Sequence, residues 1–298
     1  MSPIIKRLGV IANLQRPGAE AVLLRLTQWC RKHNVPVALC DEMSTSATDS
    51  DVVVPRDQLA ATSDAILSMG GDGTLLATAR LLGDSGVPIL GINIGSLGFL
   101  TDQTPNDLET TLKRLIEDDY EIQERMVLTA GIADADEEEE EEYYALNDVV
   151  VGRNDIRMIN MALYSNGDYI CSYAADGLIL ATPTGSTAYS LAAGGPILNP
   201  EMDAIIATPI APHSLASRPL VFDAGEVLTL EITSHTDVAV MTIDGQVSRR
   251  LMKGDRVRVR KAHYYTRLVR FRENSFYHVL RSKLHWGVLP SRDSSSSD

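Results

Sequence analysis

Apolar and polar positions along this chain follow one rhythm up to about residue 101 and another beyond it. In the first part, short unbroken apolar runs alternate with stretches of helical spacing. Arg7–Asn13 (RLGVIAN) reads as a buried strand and ends at a Gln-Arg-Pro-Gly turn. Ala19–His33 then places Val22, Leu23, Leu26 and Trp29 on one helical face, and Val35–Cys40 reads as a second strand. After a polar stretch the rhythm resumes. The run Asp64–Met69 feeds Gly70-Gly71-Asp72-Gly73-Thr74, a helix is expected over Leu75–Leu82, and Pro88–Asn93 is a third buried strand. Strands alternating with helices imply a mostly parallel sheet covered on both faces. Ligands of such sheets sit beyond the carboxyl ends of the strands, where Gly70–Asp72 and Asn93 fall.

A glycine-punctuated segment, Gly95–Thr101, and a helix over about Pro105–Glu117 follow. From Met126 onward the runs are of strand type: Met126–Ala133, Tyr143–Val151, Met158–Tyr164, Tyr169–Tyr173, Gly177–Thr182, Val227–Thr233, Val238–Ile243 and Arg256–Arg260. Several end at Asn166-Gly167 or Asp244-Gly245, pairs that favour hairpins. This predicts a β-rich, sandwich-like second domain. The expected division is residues 1–101, with 270–298 returning to them, and residues 102–269. Ser275–Leu284 has the pattern of a short amphipathic helix, and Arg292–Asp298 reads as a polar tail.

Composition narrows the function classes. At 298 residues, 44% hydrophobic and 22% charged, the chain is of globular type and long enough for two cores. No apolar run is long enough to span a bilayer, and Met1–Lys6 lacks a signal core, so a cytoplasmic protein without membrane contact is expected. Three cysteines, Cys30, Cys40 and Cys171, show no metal or redox spacing. The net charge is −13, and eight acids, Asp134, Asp136 and Glu137–Glu142, lie in a single segment that reads as a solvated loop tip. A basic footprint is absent, so no nucleic-acid partner is expected.

Two stretches carry candidate chemistry. In Gly70–Thr74 the glycines remove β-carbons that would hold a polyanion away from backbone amides and a helix N-terminus. Asp72 places a carboxylate beside that cradle, a costly position unless it binds a metal, holds a sugar hydroxyl or removes a proton. The same residues also suit an ordinary strand-to-helix turn. Asp176–Ser190 (DGLILATPTGSTAYS) repeats the grammar, an apolar strand running into small hydroxylated residues. Thr184, Ser186 and Thr187 offer hydroxyls to phosphate or sugar oxygens and Tyr189 a ring for stacking; a capped helix start is the plainer reading. Asn147-Asp148 interrupts an apolar run with one amide and one carboxylate, a pair able to grip a ribose diol, or a strand end. Gln246 and His213 have no catalytic partner visible in sequence. Walker A, kinase catalytic-loop and GxSxG signatures are absent. What remains is phosphoryl transfer in which backbone and metal hold the phosphates and a carboxylate serves the acceptor hydroxyl.

Taken with Asn93, Leu97–Thr101, Gly194-Gly195-Pro196-Ile197 and Arg218-Pro219-Leu220, these stretches resemble the bacterial NAD kinases, in the same order and over nearly the whole chain. The resemblance implies an α/β, Rossmann-like N-terminal domain to which the C-terminal segment returns, a β-rich C-terminal domain, and a homodimer or homotetramer. It implies transfer of the γ-phosphate of ATP, with Mg²⁺, to the 2′-hydroxyl of the adenosine ribose of NAD, with Asp72 as base and Gly73 beside it. It further implies that Asn147 and Asp148 hold the adenosine ribose and that Thr187, Ala188, Tyr189, Ser190, Leu191 and Ala192 line the dinucleotide groove. Asp176 would lie near the nicotinamide end, Gln246 would approach from a hairpin, Arg157 falls where relatives carry a polar contact, and Ala174 would contribute only backbone. The family usually has Asn-Glu where this chain has Asn147-Asp148, which implies a longer or water-bridged grip. GGDGT also occurs in lipid and sugar kinases of the same superfold, so those acceptors, and a non-catalytic dinucleotide sensor, are the alternatives.

Overall fold

The computed structural model describes residues 5–46, 51–95, 98–133, 141–153, 157–233, 239–273 and 275–285. Leu97, the acidic residues Asp134–Glu140 and the tail Arg292–Asp298, singled out above, lie outside them. In chain order the elements are β1 (Leu8–Ala12), α1 (Ala19–Lys32), β2 (Val37–Cys40), β3 (Val52–Val54), α2 (Leu59–Thr62), β4 (Ala65–Gly70), α3 (Asp72–Leu82), β5 (Ile89–Asn93) and α4 (Leu108–Ile116). They continue with β6 (Glu121–Ala133), β7 (Tyr143–Ala145), β8 (Asp148–Arg153), β9 (Ile159–Ser165), β10 (Asp168–Ala175), β11 (Gly177–Ala181), α5 (Tyr189–Ala192), β12 (Ala204–Ile210) and β13 (Leu220–Asp223). The last are β14 (Leu228–Ile232), β15 (Ala239–Ile243), β16 (Val247–Leu251), β17 (Arg256–Arg270) and α6 (Phe276–Leu284).

An α/β part and a β-rich part make up the fold. Strands β5-β4-β1-β2-β3 are parallel, and every residue of β2, β4 and β5 is buried, as continuous apolar runs covered on both faces require. The β-rich part holds a six-stranded antiparallel sheet, β13-β12-β11-β8-β15-β16. It packs on the strands β10-β9-β14, which join the parallel strands in one larger sheet through β17. Residues Arg256–Arg270 pair with β6 along their length, with β14 at one end and with β5 at the other. Sequence spacing limits this strand to Arg256–Arg260. It runs on because a register break between Lys261 and Tyr265 absorbs Ala262–Tyr264, which blur the period-two pattern.

Other differences have local causes. β12 is not among the strands expected from the sequence; its Pro209 is accommodated because β13 pairs only with Ala204–Ala207, so the proline's missing N–H faces no partner. The expected run Tyr143–Val151 divides into β7 and β8 at Leu146-Asn147, whose amides turn to a side chain instead of a strand. α3 begins at Asp72 itself, so that residue belongs to the first helical turn.

Candidate active site

Gly70 ends β4 where Thr74 folds back over it. A β-carbon there would lie 2.2 Å from Thr74 Oγ1. The tight turn sends Asp72 toward the Gly98–Thr101 loop. Its Oδ1 accepts from Leu100 N (3.1 Å), Thr101 N (3.1 Å) and Thr101 Oγ1 (2.9 Å), and its Oδ2 from Phe99 N (2.8 Å). A carboxylate has about four lone-pair sites, so Oδ2 retains the capacity for a further donor. Gly98 is needed for this seat, because a β-carbon would fall 1.9 Å from Asp72 Oδ1.

The second half of the site comes from the β-rich part. Asp244 and Gly245 turn the β15–β16 hairpin at positive φ (49° and 66°), which brings Gln246 against the Gly70–Thr74 loop. Gln246 Nε2 donates to Gly73 O (2.9 Å) and its Oε1 accepts from Arg80 Nη2 (2.5 Å). The Asp244 carboxylate accepts the amides of Leu146 (3.0 Å), Asn147 (2.8 Å) and Asp148 (3.1 Å), which fixes the Asn147-Asp148 bend. The hydroxylated turn docks on the same bend: Thr182 N donates to Asn147 O (2.9 Å), Thr182 Oγ1 to Leu146 O (2.6 Å), and Gly185 N to Thr182 Oγ1 (3.0 Å). Thr184 and Thr187 share a small cavity with Phe99 and Leu100, two of the residues whose amides hold Asp72. Asp72, Gly73, Asn147, Asp148, Thr187 and Gln246 therefore form one neighbourhood.

Two clefts lie on these elements, the first sharing Gly73 with that neighbourhood and the second along β8 and β15. One, of about 550 Å³, lies over the ends of β1 and β4 and is lined by Asn13, Arg16, Met43, Arg56, Gly73 and Thr74. Arg16 reaches across the glycine loop to donate to Ile94 O (3.4 Å). Neither arginine stands out in the sequence, where Arg16 reads as part of a turn. The signal was its place directly after the first strand, at the same sheet edge as Gly71. The other cleft, of about 360 Å³, is lined by Val150, Gly152, Asp176, Tyr189, Thr242 and Ser248. Asp176 there pairs with Arg153 (2.9 Å). β8 runs from Asp148 to Arg153 between the two ends of the site, a span of roughly 17 Å.

The remaining candidates are distributed less evenly. The ring of Tyr189 is about half exposed, Ala188 and Leu191 are half-buried and Ala192 is exposed. The Ser190 hydroxyl turns inward to Thr208 Oγ1 (2.9 Å), away from either cleft. The Ala174 carbonyl accepts from His213 N (2.9 Å), which gives that histidine a structural task. Arg157 is exposed in the bend before β9.

Burial sets the protonation of the bend. Asp148 is 5% exposed, and loss of hydration together with the nearby Asp244 carboxylate raises its pKa to about 7. Asp244 is also pushed up by burial, but three amides support its charged form, so of the two Asp148 is the proton carrier. A group raised in the fold stabilises the protein at low pH, and that contribution is lost as pH rises from the unfolded carboxylate value through about 7. Asp148→Asn, which resembles the protonated form, is expected to flatten the fall of Tm between pH 5 and pH 8; a melting profile as steep as wild type would refute this assignment.

Comparison with known proteins agrees with the geometry. Residues 8–120 match the family model described as ATP-NAD kinase N-terminal domain, and residues 146–271 the ATP-NAD kinase C-terminal domain. The NAD kinase of Heliobacterium modesticaldum is 43% identical over 280 residues, 94% of this chain and 98% of that protein. That of Citrifermentans bemidjiense is 41% identical over 287 residues, 95% and 99% respectively. Among solved structures, yeast NADH kinase complexed with NADH superposes with a TM-score of 0.88 at 25% identity, over 96% of this chain and 89% of that one. An NAD kinase from Archaeoglobus fulgidus in complex with ATP gives 0.74 at 26%, over 94% and 98%. With both family models matched and full-length relatives above 40% identity, the chain belongs to the NAD kinase family.

Proposed function

We propose that the protein transfers the γ-phosphoryl group of ATP to the 2′-hydroxyl of the adenosine ribose of NAD. The observation that carries this reading is the seat of Asp72: three donors saturate Oδ1, and Oδ2 is left able to take one more hydrogen. In the transfer the ribose O2′–phosphorus bond forms as the bond from the γ-phosphorus to the bridging oxygen breaks. The hydroxyl proton passes to Asp72 Oδ2, and ADP leaves. Asn147 and Asp148 are read as the ribose grip and Thr187–Ala192 as the groove wall. Asp176 and Tyr189 would meet the second nucleoside at the far end of β8. Ala174 is read as backbone support, and Arg157 as a contact from solvent. Gln246, held to Gly73 and Arg80, positions the glycine loop.

Arg16 and Arg56 in the larger cleft suit the phosphates of the donor nucleotide. Among the described residues no three His, Cys, Asp or Glu side chains converge as a metal cage. Mg²⁺ fits such a site in its usual way, carried on substrate phosphates and water. When bound, it neutralises charge on the transferring phosphoryl group. No helix among the described residues is long and apolar enough to cross a membrane. The edge strand β10, with Tyr169 and Ile170 exposed, supports assembly into a homodimer or homotetramer.

Incubation with NAD, ATP and Mg²⁺ is expected to yield NADP and ADP in equal amounts. ADP release without NADP, or phosphate passing to a lipid or sugar competitor in preference to NAD, would overturn the assignment. No finding favours the lipid, sugar or sensor alternatives.

A further inference from the structure

The amides that hold Asp72 come from residues in neither helix nor strand, Phe99, Leu100 and Thr101, and such a loop does not set its own orientation. A contact from 171 positions further along the chain does. Arg270, the last residue of β17, donates from Nη2 to Phe99 O (3.2 Å), and its Nη1 forms an ion pair with Asp102 Oδ2 (2.9 Å). The two side chains are 6% and 3% exposed, so water and salt screen this pair little. The arginine arrives there because Leu268 pairs with Ile89 of β5, the strand that leads into the loop. Arg125, also buried, is spent elsewhere: its Nη2 donates to Gln123 Oε1 (2.7 Å).

A peptide unit is planar, and in its trans form the C=O and N–H point in opposite directions. Phe99 O and Leu100 N belong to one such unit. The pull of Arg270 on the carbonyl therefore aims the amide at Asp72 Oδ1, 3.1 Å away. The ion pair fixes the far end of the loop at Asp102, directly after the threonine whose N–H and Oγ1–H also donate to Oδ1. We propose that Arg270 is a positioning residue for the phosphoryl transfer: its guanidinium sets the orientation of the Phe99–Thr101 loop and, through it, the aim of the Asp72 carboxylate. This role rests on the reading of Asp72 as proton acceptor. A lysine would not reproduce it, because an ammonium is a point charge on one nitrogen, whereas the planar fork meets the carbonyl and the carboxylate with separate nitrogens.

Arg270→Lys keeps a cation opposite Asp102 and gives up the contact with Phe99 O. Steady-state kinetics of the full-length variant is expected to show kcat lower by about 10- to 100-fold, with KM for ATP and for NAD within about twofold of wild type. In the Asp72→Asn background the same substitution is expected to change kcat by less than about twofold, because no proton acceptor is left to aim. An equal fold-loss in both backgrounds would overturn the proposal and leave Asp72 as the base, since a merely structural contact costs the same with or without that carboxylate. Wild-type kcat in Arg270→Lys would also overturn it. Wild-type turnover in Asp72→Asn alone would instead remove the reading beneath it. The paired change Arg270→Met with Asp102→Leu leaves no uncompensated charge of this pair in the interior and so protects the fold. It is expected to melt close to wild type and to lose as much turnover as Arg270→Lys; a stable double variant with full turnover would refute the positioning role.

Discussion

Asp72→Asn is expected to lower kcat by about 10²- to 10⁴-fold while KM for NAD holds. An asparagine can keep its oxygen where Leu100 N, Thr101 N and Thr101 Oγ1 converge. Its NH₂ then occupies the Oδ2 position, where it cannot accept a proton from a ribose hydroxyl and meets the Phe99 N–H donor to donor. Chemistry is lost by the first effect, and the loop shifts slightly by the second. Steady-state kinetics alongside a melting curve separates them. Wild-type turnover in a well-folded variant would remove Asp72 from the reaction, and a parallel collapse of NAD binding would make it a binding residue instead.

Gly185→Ala should be the most damaging single methyl group in the β-rich half. A β-carbon at Gly185 would lie 2.0 Å from Asn147 O and 2.5 Å from Asn147 C, both main-chain atoms that have no rotamer to change. Either the hydroxylated turn or the Asn147-Asp148 bend must move. Overpacking of this kind costs about 1–3 kcal/mol. Were that cost to fall wholly on the bound geometry, KM for NAD would rise about 5- to 150-fold. The measurement is KM for NAD with KM for ATP as the control. Unchanged KM for NAD would show that the turn and the bend are not one binding surface.

Local signals survive in sequence where one short segment supplies both the geometry and the chemistry. Gly70–Thr74 is such a segment, since its glycines and carboxylate are adjacent and the strand before it is an unbroken apolar run. The Thr182–Tyr189 turn is another. The partners of these segments are a different matter. Nothing near Gln246 announces that it will reach Gly73, 173 positions away, because the reach depends on how β15 and β16 register beside β8. Asp244 looks like half of an Asp-Gly turn, yet its carboxylate organises three amides almost a hundred residues earlier. Arg16 was hidden for the opposite reason: arginine in a turn is common, and only the fold shows that this turn stands over the glycine loop. The alternating apolar runs made the two-part architecture readable, while β17 was cut short at a register break and β12 was passed over.

The continuity of β17 constrains how the enzyme can work. One strand is hydrogen-bonded into both halves of the molecule, so it acts as a spine and leaves little freedom for the two lobes to swing apart like jaws. Only at the register break between Lys261 and Tyr265 is the ladder interrupted, and any relative rotation has to pivot there. The walls of the cleft are thus kept near their working separation before substrate arrives, and little of the free energy of NAD association has to be diverted into closing them.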